Sequence, residues 1–100
     1  MINHIVMWKL KDFAEGRTKE ENIDILIKGY EDLKKHIPQI KDAYIKRNIN
    51  EKDSNFDTIL FTKFNSIEEM ESYLLHPEHK KYSELCKKLR DDRACIDFEY

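Results

Sequence analysis

The stretch Phe56–Tyr82, FDTILFTKFNSIEEMESYLLHPEHKKY, contains the pattern that decides the fold. Its first part is the most apolar segment of the chain and predicts a β-strand. Ser66 and Glu69 have the spacing of a capping box, which predicts the start of a helix. Pro77 suits the first turn of a new helix, where its missing N–H costs nothing. The stretch therefore predicts a strand followed by a helix in two pieces.

The rest of the chain adds one long helix and three more strands. Apolar residues recur at three- and four-residue steps from Ile23 to Ile37, which is the period of a helix with one buried face. Thr18 and Glu21 form another capping box before it, and Pro38 ends it. The predicted strands are Ile2–Leu10, Asp42–Ile49, Phe56–Phe64 and Arg93–Tyr100. The two pieces of the broken helix are predicted to end near Leu75 and near Arg90. The predicted connecting loops are Asp12–Arg17 and Asn50–Asn55.

The predicted order is β-α-β-β-α-α-β, an α+β, ferredoxin-like arrangement with an antiparallel sheet. Period-two alternation in the first strand puts Val6 and Trp8 on one face and Ile5 and Met7 on the other. A sheet covered by helices on one side only should have a polar outer face. Because both faces are apolar, we expect the uncovered face to pack against a second copy, forming a homodimer.

The composition limits the classes of function. The chain has 100 residues, 40% hydrophobic and 38% charged, with a formal charge of −2, which is typical of one globular domain over residues 1–100. This charge disfavours nucleic-acid binding, since phosphate contacts need a positive surface. There is no signal-peptide pattern and no apolar run of the roughly 20 residues that span a membrane. With only Cys86 and Cys95, both expected to be reduced, a cytoplasmic protein without membrane contacts is predicted.

Histidines and tyrosines are the candidate catalytic residues. His79 falls near the third position of the helix begun by Pro77, where the positive end of the helix dipole lowers the pKa of an imidazole. A neutral His79 can accept a proton. Tyr73 lies six residues earlier, across the helix break, where its hydroxyl could stabilise an oxyanion. His4 projects from the same strand face as Trp8 and is the third candidate.

We expect a mostly apolar pocket around these groups, suited to a small hydrophobic, aromatic or enolisable molecule. No cofactor is predicted, because the chain lacks a glycine-rich phosphate loop. No metal is predicted either, because His76, Glu78 and His79 lack the spacing of a zinc site. The predicted pocket lining is Tyr30, Val6, Trp8, Ile27, Leu60 and Tyr82.

The presence of the same residues can also be explained by structural roles, without any catalytic function. His76 is a candidate helix cap, and His4, Tyr30 and Tyr73 are candidates for buried, hydrogen-bonded core residues. The charged run at residues 87–93 is interpreted as a solvated face with ion pairs one helical turn apart. The residues alone leave a catalytic role and a structural role open.

The segments MINHIVMWKLK at residues 1–11 and GYEDLKKHIPQIKDAY at 29–44, with the stretch quoted first, resemble the stress-responsive A/B barrel (Dabb) family. The resemblance implies a dimeric α+β barrel of two ferredoxin-like protomers. In a plant member that cyclises a polyketide, the catalytic tyrosine and histidine correspond to Tyr73 and His79. The resemblance implies that His79 would abstract a proton and Tyr73 would stabilise the enolate oxygen.

The resemblance leaves several functions open. It also places Tyr30 and His4 at positions of that plant cyclase's site, but Thr58 stands where the cyclase has a further histidine. Trp8 is bulkier than its counterpart, which disfavours a long polyketide chain. A stress-responsive barrel that binds a small molecule is therefore the first hypothesis, and a cofactor-independent lyase or cyclase is the second. A monooxygenase like other dimeric α+β barrels and a non-catalytic, oligomer-forming stress protein are the alternatives.

Overall fold

A four-stranded antiparallel sheet forms the framework of the protein in the computed structural model, which describes residues 1–100. In chain order the elements are β1 (Ile2–Leu10), β2 (Phe13–Ala14), β3 (Arg17–Thr18), α1 (Lys19–Leu33), a 3₁₀ turn (Lys34–His36), β4 (Asp42–Arg47), β5 (Thr58–Phe64), α2 (Ile67–Leu75), α3 (Pro77–Leu89) and β6 (Arg90–Glu99). The spatial order of the sheet is β4–β5–β1–β6. The predicted α+β, ferredoxin-like protomer is confirmed.

The connection between β1 and α1, predicted as a loop, contains a small hairpin. Phe13 pairs with Thr18 in antiparallel register, and Glu15 and Gly16 form the turn with φ angles of 52° and 75°. Positive φ at both central residues is the geometry of a type I′ turn, which matches the twist of paired strands. The hairpin follows from the freedom of Gly16 to adopt this conformation.

The loop between β4 and β5 is wider than predicted. β4 ends at Arg47 and not at Ile49, and β5 begins at Thr58 and not at Phe56. Asn48 closes the loop, because its side-chain amide donates a hydrogen bond to the Phe56 carbonyl at 2.8 Å. The Asn48 backbone N–H also donates to the Asp57 carbonyl at 2.8 Å, so these two bonds close the loop just beyond the ends of the paired strands.

Two other boundaries also differ from the prediction. α1 ends at Leu33 and tightens into the 3₁₀ turn before Pro38 is reached. β6 begins at Arg90 and not at Arg93, because it pairs with β1 as far as Leu10, with a register shift next to that residue. The charged residues at the end of the predicted helix therefore belong to an edge strand.

The three helices cover one face of the sheet and bury the core against it. Leu26, Tyr30, Phe64, Tyr73 and Leu89 have no exposed surface. Each fully buried aromatic or aliphatic side chain of this size contributes roughly 1.5–3 kcal/mol through its removal from water. No helix combines the length and the apolar character needed to cross a membrane.

The opposite face of the sheet carries an uncovered apolar surface. Residues that pair directly across antiparallel strands share a face, so Ile5 lies beside Phe61 on one strand and Ile96 on the other. Tyr44 stacks on Phe61 with ring centroids 5.0 Å apart. We call this surface the open sheet face; its apolar members are Ile5, Met7, Tyr44, Ile59, Phe61, Ala94, Ile96 and Phe98.

The capping box at the start of α1 is a testable feature. The Glu21 N–H donates to the Thr18 hydroxyl at 3.3 Å, and the Thr18 N–H donates to the Glu21 carboxylate at 3.0 Å. We expect Thr18→Ala to lower the free energy of unfolding by about 1 kcal/mol, because an orphan N–H loses its acceptor. Urea denaturation measures this change, with Ser54→Ala in an exposed loop as the control. Equal stability of the two variants would show that packing alone sets the start of α1.

Candidate functional site

A cavity of about 270 Å³ lies between the helix-covered face of the sheet and α3. We call it the central pocket. Its apolar wall consists of Val6, Trp8, Leu60 and Tyr82, and its predicted catalytic groups are His4, Tyr73 and His79. All seven residues are predicted from the sequence to belong to one site. They come from β1, β5, α2 and α3, and the tertiary structure brings them together around this cavity.

Two residues predicted to line the pocket lie elsewhere. Tyr30 has no exposed surface and is separated from the cavity by Tyr73 and Tyr82. Ile27, one turn earlier on α1, is half-buried and does not reach the cavity. The reason is that Tyr82 packs edge-on against Tyr30, with ring centroids 5.5 Å apart, and its hydroxyl donates to the Leu26 carbonyl at 2.6 Å. The predicted lining residues Ile27 and Tyr30 therefore lie outside this cavity.

Three buried hydroxyl groups form a hydrogen-bonded chain beside the pocket. The Tyr30 hydroxyl lies 2.9 Å from the Thr62 hydroxyl and 3.0 Å from the Tyr73 hydroxyl. Burial raises the pKa of Tyr30 and holds that of Tyr73 well above its usual value. Tyr73 consequently stays protonated throughout the physiological pH range and can act only as a neutral hydrogen-bonding group.

His79 lies directly against Tyr73, with ring centroids 4.5 Å apart and planes tilted by 54°. Its Nδ1 atom is buried and has no hydrogen-bond partner. The pKa of His79 is lowered, chiefly because burial disfavours the charged ring. The predicted direction of the shift is confirmed, but its main cause is burial and not the helix dipole. His79 is therefore a neutral ring with an unpartnered nitrogen.

His76 has the structural role that was left open as one alternative. It caps α3, because its Nδ1 accepts a hydrogen bond from the Glu78 N–H at 3.1 Å. This bond occupies the nitrogen that would otherwise be available for chemistry. Of the two histidines around Pro77, only His79 lines the pocket.

His4 has a carboxylate partner that the sequence analysis missed. Its Nδ1 hydrogen-bonds Asp97, the residue directly opposite on β6, and the Cys95 Sγ lies 3.7 Å from the same nitrogen. A carboxylate on Nδ1 favours the tautomer whose Nε2 is a proton acceptor. Pairing the alternations of the first and last strands could have revealed Asp97, but that needs the strand register.

The same corner holds the residues that could bind a metal ion. The ligand atoms of His4, Cys95 and Asp97 all lie within 4.8 Å of one another. Nitrogen, sulfur and oxygen donors of these types are all accepted by zinc. A metal bound there would have to break the hydrogen bond between His4 and Asp97.

The remaining wall of the pocket is polar and contains three cations, Lys87, Arg90 and Arg93, beside Ser83 and Cys86. Burial raises the pKa of Cys86 to about 12, so its thiol is not a nucleophile at neutral pH. Lys87 pairs with Glu84 at 3.2 Å, as predicted for a helix surface. Arg90 and Arg93 make no ion pair, so the pairing one helical turn apart that was predicted for residues 87–93 does not extend to them.

Comparison with known proteins identifies two relatives at low identity. Olivetolic acid cyclase from Cannabis sativa is 25% identical over 99 residues, covering 97% of this chain and 94% of the relative. The stress-response A/B barrel domain-containing protein DABB1 from Arabidopsis thaliana is 26% identical over 101 residues, covering 98% of this chain. This chain spans 46% of the length of DABB1.

A solved structure and a family pattern agree with these matches. A dimeric protein of unknown function with a ferredoxin-like fold from Bacteroides fragilis superposes with a TM-score of 0.86 at 25% identity, covering 99% of this chain and 95% of that one. The model of the stress responsive A/B barrel domain family matches residues 2–100. The resemblance drawn from the sequence motifs is thus confirmed, and the chain belongs to the stress responsive A/B barrel domain (Dabb) family.

Proposed function

We propose that the protein is a homodimeric barrel that binds a small molecule in the central pocket and moves a proton on a carbon next to its carbonyl group. This is the chemistry of a cofactor-independent lyase or cyclase. The observation that carries the proposal is the neutral, buried His79, whose Nδ1 has no hydrogen-bond partner and whose ring packs on the protonated Tyr73. The name of the cyclase relative supports the reaction class.

His79 is the proposed general base. A neutral imidazole takes the proton from the carbon atom, and the electron pair of the broken C–H bond moves to the carbonyl oxygen, giving an enolate. The enolate carbon then forms a bond to an electrophilic carbonyl in the same molecule, or a bond to a leaving group breaks. Imidazolium returns the proton to the oxygen that becomes negative, so that His79 ends the cycle neutral.

Tyr73 is the proposed stabiliser of the enolate oxygen. Its hydroxyl must donate to that oxygen, which requires that it accept from Tyr30. The hydroxyl chain permits this direction, because Thr62 can donate to Tyr30 and Tyr30 to Tyr73. The proton of Tyr73 then points toward the pocket as a preorganised donor.

His4 is proposed as a second proton carrier near Tyr73. Its ring centroid lies 6.2 Å from that of Tyr73, and Asp97 holds its orientation. A histidine whose Nδ1 is fixed by a carboxylate is oriented to exchange a proton through Nε2. The proposed site therefore has two acid–base groups, His4 and His79, close to the tyrosine.

The size of the pocket restricts the substrate. Its volume of about 270 Å³ lies just below the usual range for ligand sites, roughly 300–1,000 Å³. Trp8, only 4% exposed, fills one wall and packs against Tyr82 with ring centroids 6.3 Å apart. We propose a small substrate with an apolar body and not a long polyketide chain.

The open sheet face is the proposed dimer interface. Ile96 is 59% exposed and Phe98 is 41% exposed, although both extend an apolar surface of the sheet. Large exposed apolar patches on single domains usually mark an interaction site. The Bacteroides fragilis structure, which is described as dimeric, supports a second copy as the partner.

A non-catalytic stabilising role is the second candidate function. The hydroxyls of Tyr30 and Tyr73 satisfy each other in the core, which a purely structural cluster would also do. The name of the DABB1 relative supports a role in the stress response. Cytoplasmic location stays a prediction of the sequence.

Carbon-acid exchange tests the catalytic proposal. We expect the wild-type protein to accelerate deuterium incorporation at the benzylic carbon of phenylacetone in D₂O, followed by ¹H NMR. His79→Ala should lower this acceleration at least about 100-fold, because the base is lost. Tyr73→Phe should lower it by roughly 100-fold, because the enolate loses a donor.

Matched variants control this experiment. His36→Ala and Tyr100→Phe remove exposed residues of the same types outside the pocket and should exchange at the wild-type rate. If His79→Ala and Tyr73→Phe retain the wild-type rate but melt at lower temperature, the structural role is the correct one. An unchanged rate together with an unchanged melting temperature would refute both candidate functions for these residues.

The lowered pKa of His79 predicts the pH dependence of activity and stability. The exchange rate should be constant above about pH 6.5 and fall as the pH drops through the folded-state pKa, because the base becomes protonated. The unfolded chain binds this proton more readily, so the stabilising contribution of the neutral ring is also lost as the pH falls from about 6.5. NMR titration of the His79 ring measures the pKa directly. A value at or above 6.5 would contradict the proposal, and His79→Gln should remove this part of the pH dependence.

Substitution on the open sheet face tests the dimer. We expect Ile96→Lys to convert the dimer into a monomer, because two copies of the charge would be buried in a two-fold interface. Light scattering after size-exclusion chromatography measures the mass. Ile67→Lys on α2 is the control, since Ile67 is 52% exposed but lies away from this face. A wild-type monomer at tens of micromolar would rule out the interface.

A further inference from the structure

We propose that the ligand of the central pocket carries an oxyanion, a carboxylate or a phosphate, and that Arg90 and Arg93 bind it at the pocket wall. The inference rests on the proposed function in one respect, namely that the central pocket is the ligand site. It adds the substrate class, a small ketone with an acidic group, to the proposed reaction.

Both arginines project toward the pocket. Arg93 pairs with Trp8 and Arg90 pairs with Leu10 across the β1–β6 ladder. Directly paired residues share a face of the sheet, and both partners are buried on the helix-covered face. The two guanidinium groups therefore lie on the same side as His4 and the helices, and both line the cavity.

Neither guanidinium has a carboxylate partner, although the chain as a whole is acidic, with a formal charge of −2. Two carboxylates on the same strand are engaged elsewhere: Asp97 binds His4, and the side chain of Asp92 accepts the backbone N–H of Arg93 at 2.8 Å. By contrast, Arg47 pairs with two carboxylates at 2.7 Å. Two unpaired arginines on one cavity wall form a binding site for an anion from outside the chain.

The charges of these arginines affect the pKa values of titratable groups in the pocket. After burial, the charge of Arg93 is among the causes that lower the pKa of His79. At the Cys86 thiol on the same wall, burial raises the pKa and the charges of Arg90 and Arg93 oppose that rise. An anion bound beside Arg93 would cancel part of this field, so its binding should also raise the pKa of His79.

The chemistry of the wall selects the kind of ligand. The planar fork of arginine donates two parallel hydrogen bonds to a carboxylate or phosphate. The rest of the lining includes the apolar side chains of Val6, Trp8, Leu60 and Tyr82. A molecule with an oxyanion at one end and a compact apolar body at the other matches both parts of the lining. Its carbonyl group would lie near Tyr73 and His79.

Two probes of nearly the same shape, benzoate and the neutral benzamide, test the inference, and phenyl phosphate is added as a larger probe with a tetrahedral oxyanion. Binding is followed through the Trp8 indole signal in ¹H–¹⁵N NMR titrations of the full-length protein. We expect benzoate to bind at least tenfold more tightly than benzamide. Arg90→Gln and Arg93→Gln should reduce benzoate binding to the level of benzamide, while benzamide binding itself stays unchanged and shows that the variants are folded. The tighter of benzoate and phenyl phosphate identifies the oxyanion.

Arg47→Gln is the matched control, because it removes an arginine outside the pocket and should keep the preference for benzoate. Equal binding of benzoate and benzamide by the wild-type protein would overturn the oxyanion site and leave the proposed function standing. A preference that persists in both pocket variants would overturn the assignment to Arg90 and Arg93. If no probe shifts the Trp8 signal, the oxyanion site and the proposed function both fail.

Discussion

The chain of hydroxyl groups from Thr62 through Tyr30 to Tyr73 connects the sheet, α1 and α2 at the centre of the molecule. A buried hydroxyl without a partner costs about 1–3 kcal/mol of folding free energy. Moving one of these elements relative to the others would break the hydrogen bonds of this chain and would therefore be unfavourable. This constraint fixes the position of Tyr73, and through it the position of His79, whose ring packs on the tyrosine. The shape of the central pocket depends on these contacts.

Burial in the same core sets the protonation of the candidate catalytic groups. Removal from water disfavours any charged form, so it raises the pKa of Tyr73 and lowers that of His79. At neutral pH the two neighbours are therefore a hydrogen-bond donor and a proton acceptor, which is the pair that enolate formation requires. Burial thus sets the protonation state of Tyr73 and His79, and neither group has a charged partner in direct contact.

The two faces of the sheet have different structural roles. The helix-covered face forms the pocket, which is lined by apolar side chains, by the proposed acid–base groups and by the unpaired Arg90 and Arg93. The open sheet face presents Tyr44, Ile96 and Phe98 to the outside, which we assign to a second copy of the chain. In a sheet, successive side chains point to opposite faces, so neighbouring residues along β6 serve the ligand site and the interface in turn.

Local sequence signals were sufficient for the element order, the capping boxes, the helix break at Pro77 and the pairing of Tyr73 with His79, because each depends on residues a few positions apart. They were not sufficient for Asp97, for the role of Arg90 and Arg93, or for the displacement of Tyr30 from the pocket. Those depend on the register between β1 and β6 and on how Tyr82 packs against α1, which join residues at opposite ends of the chain. The sequence by itself determined the fold and the candidate acid–base pair. Only the tertiary structure decided what surrounds that pair, because burial and strand register arise when distant segments pack together.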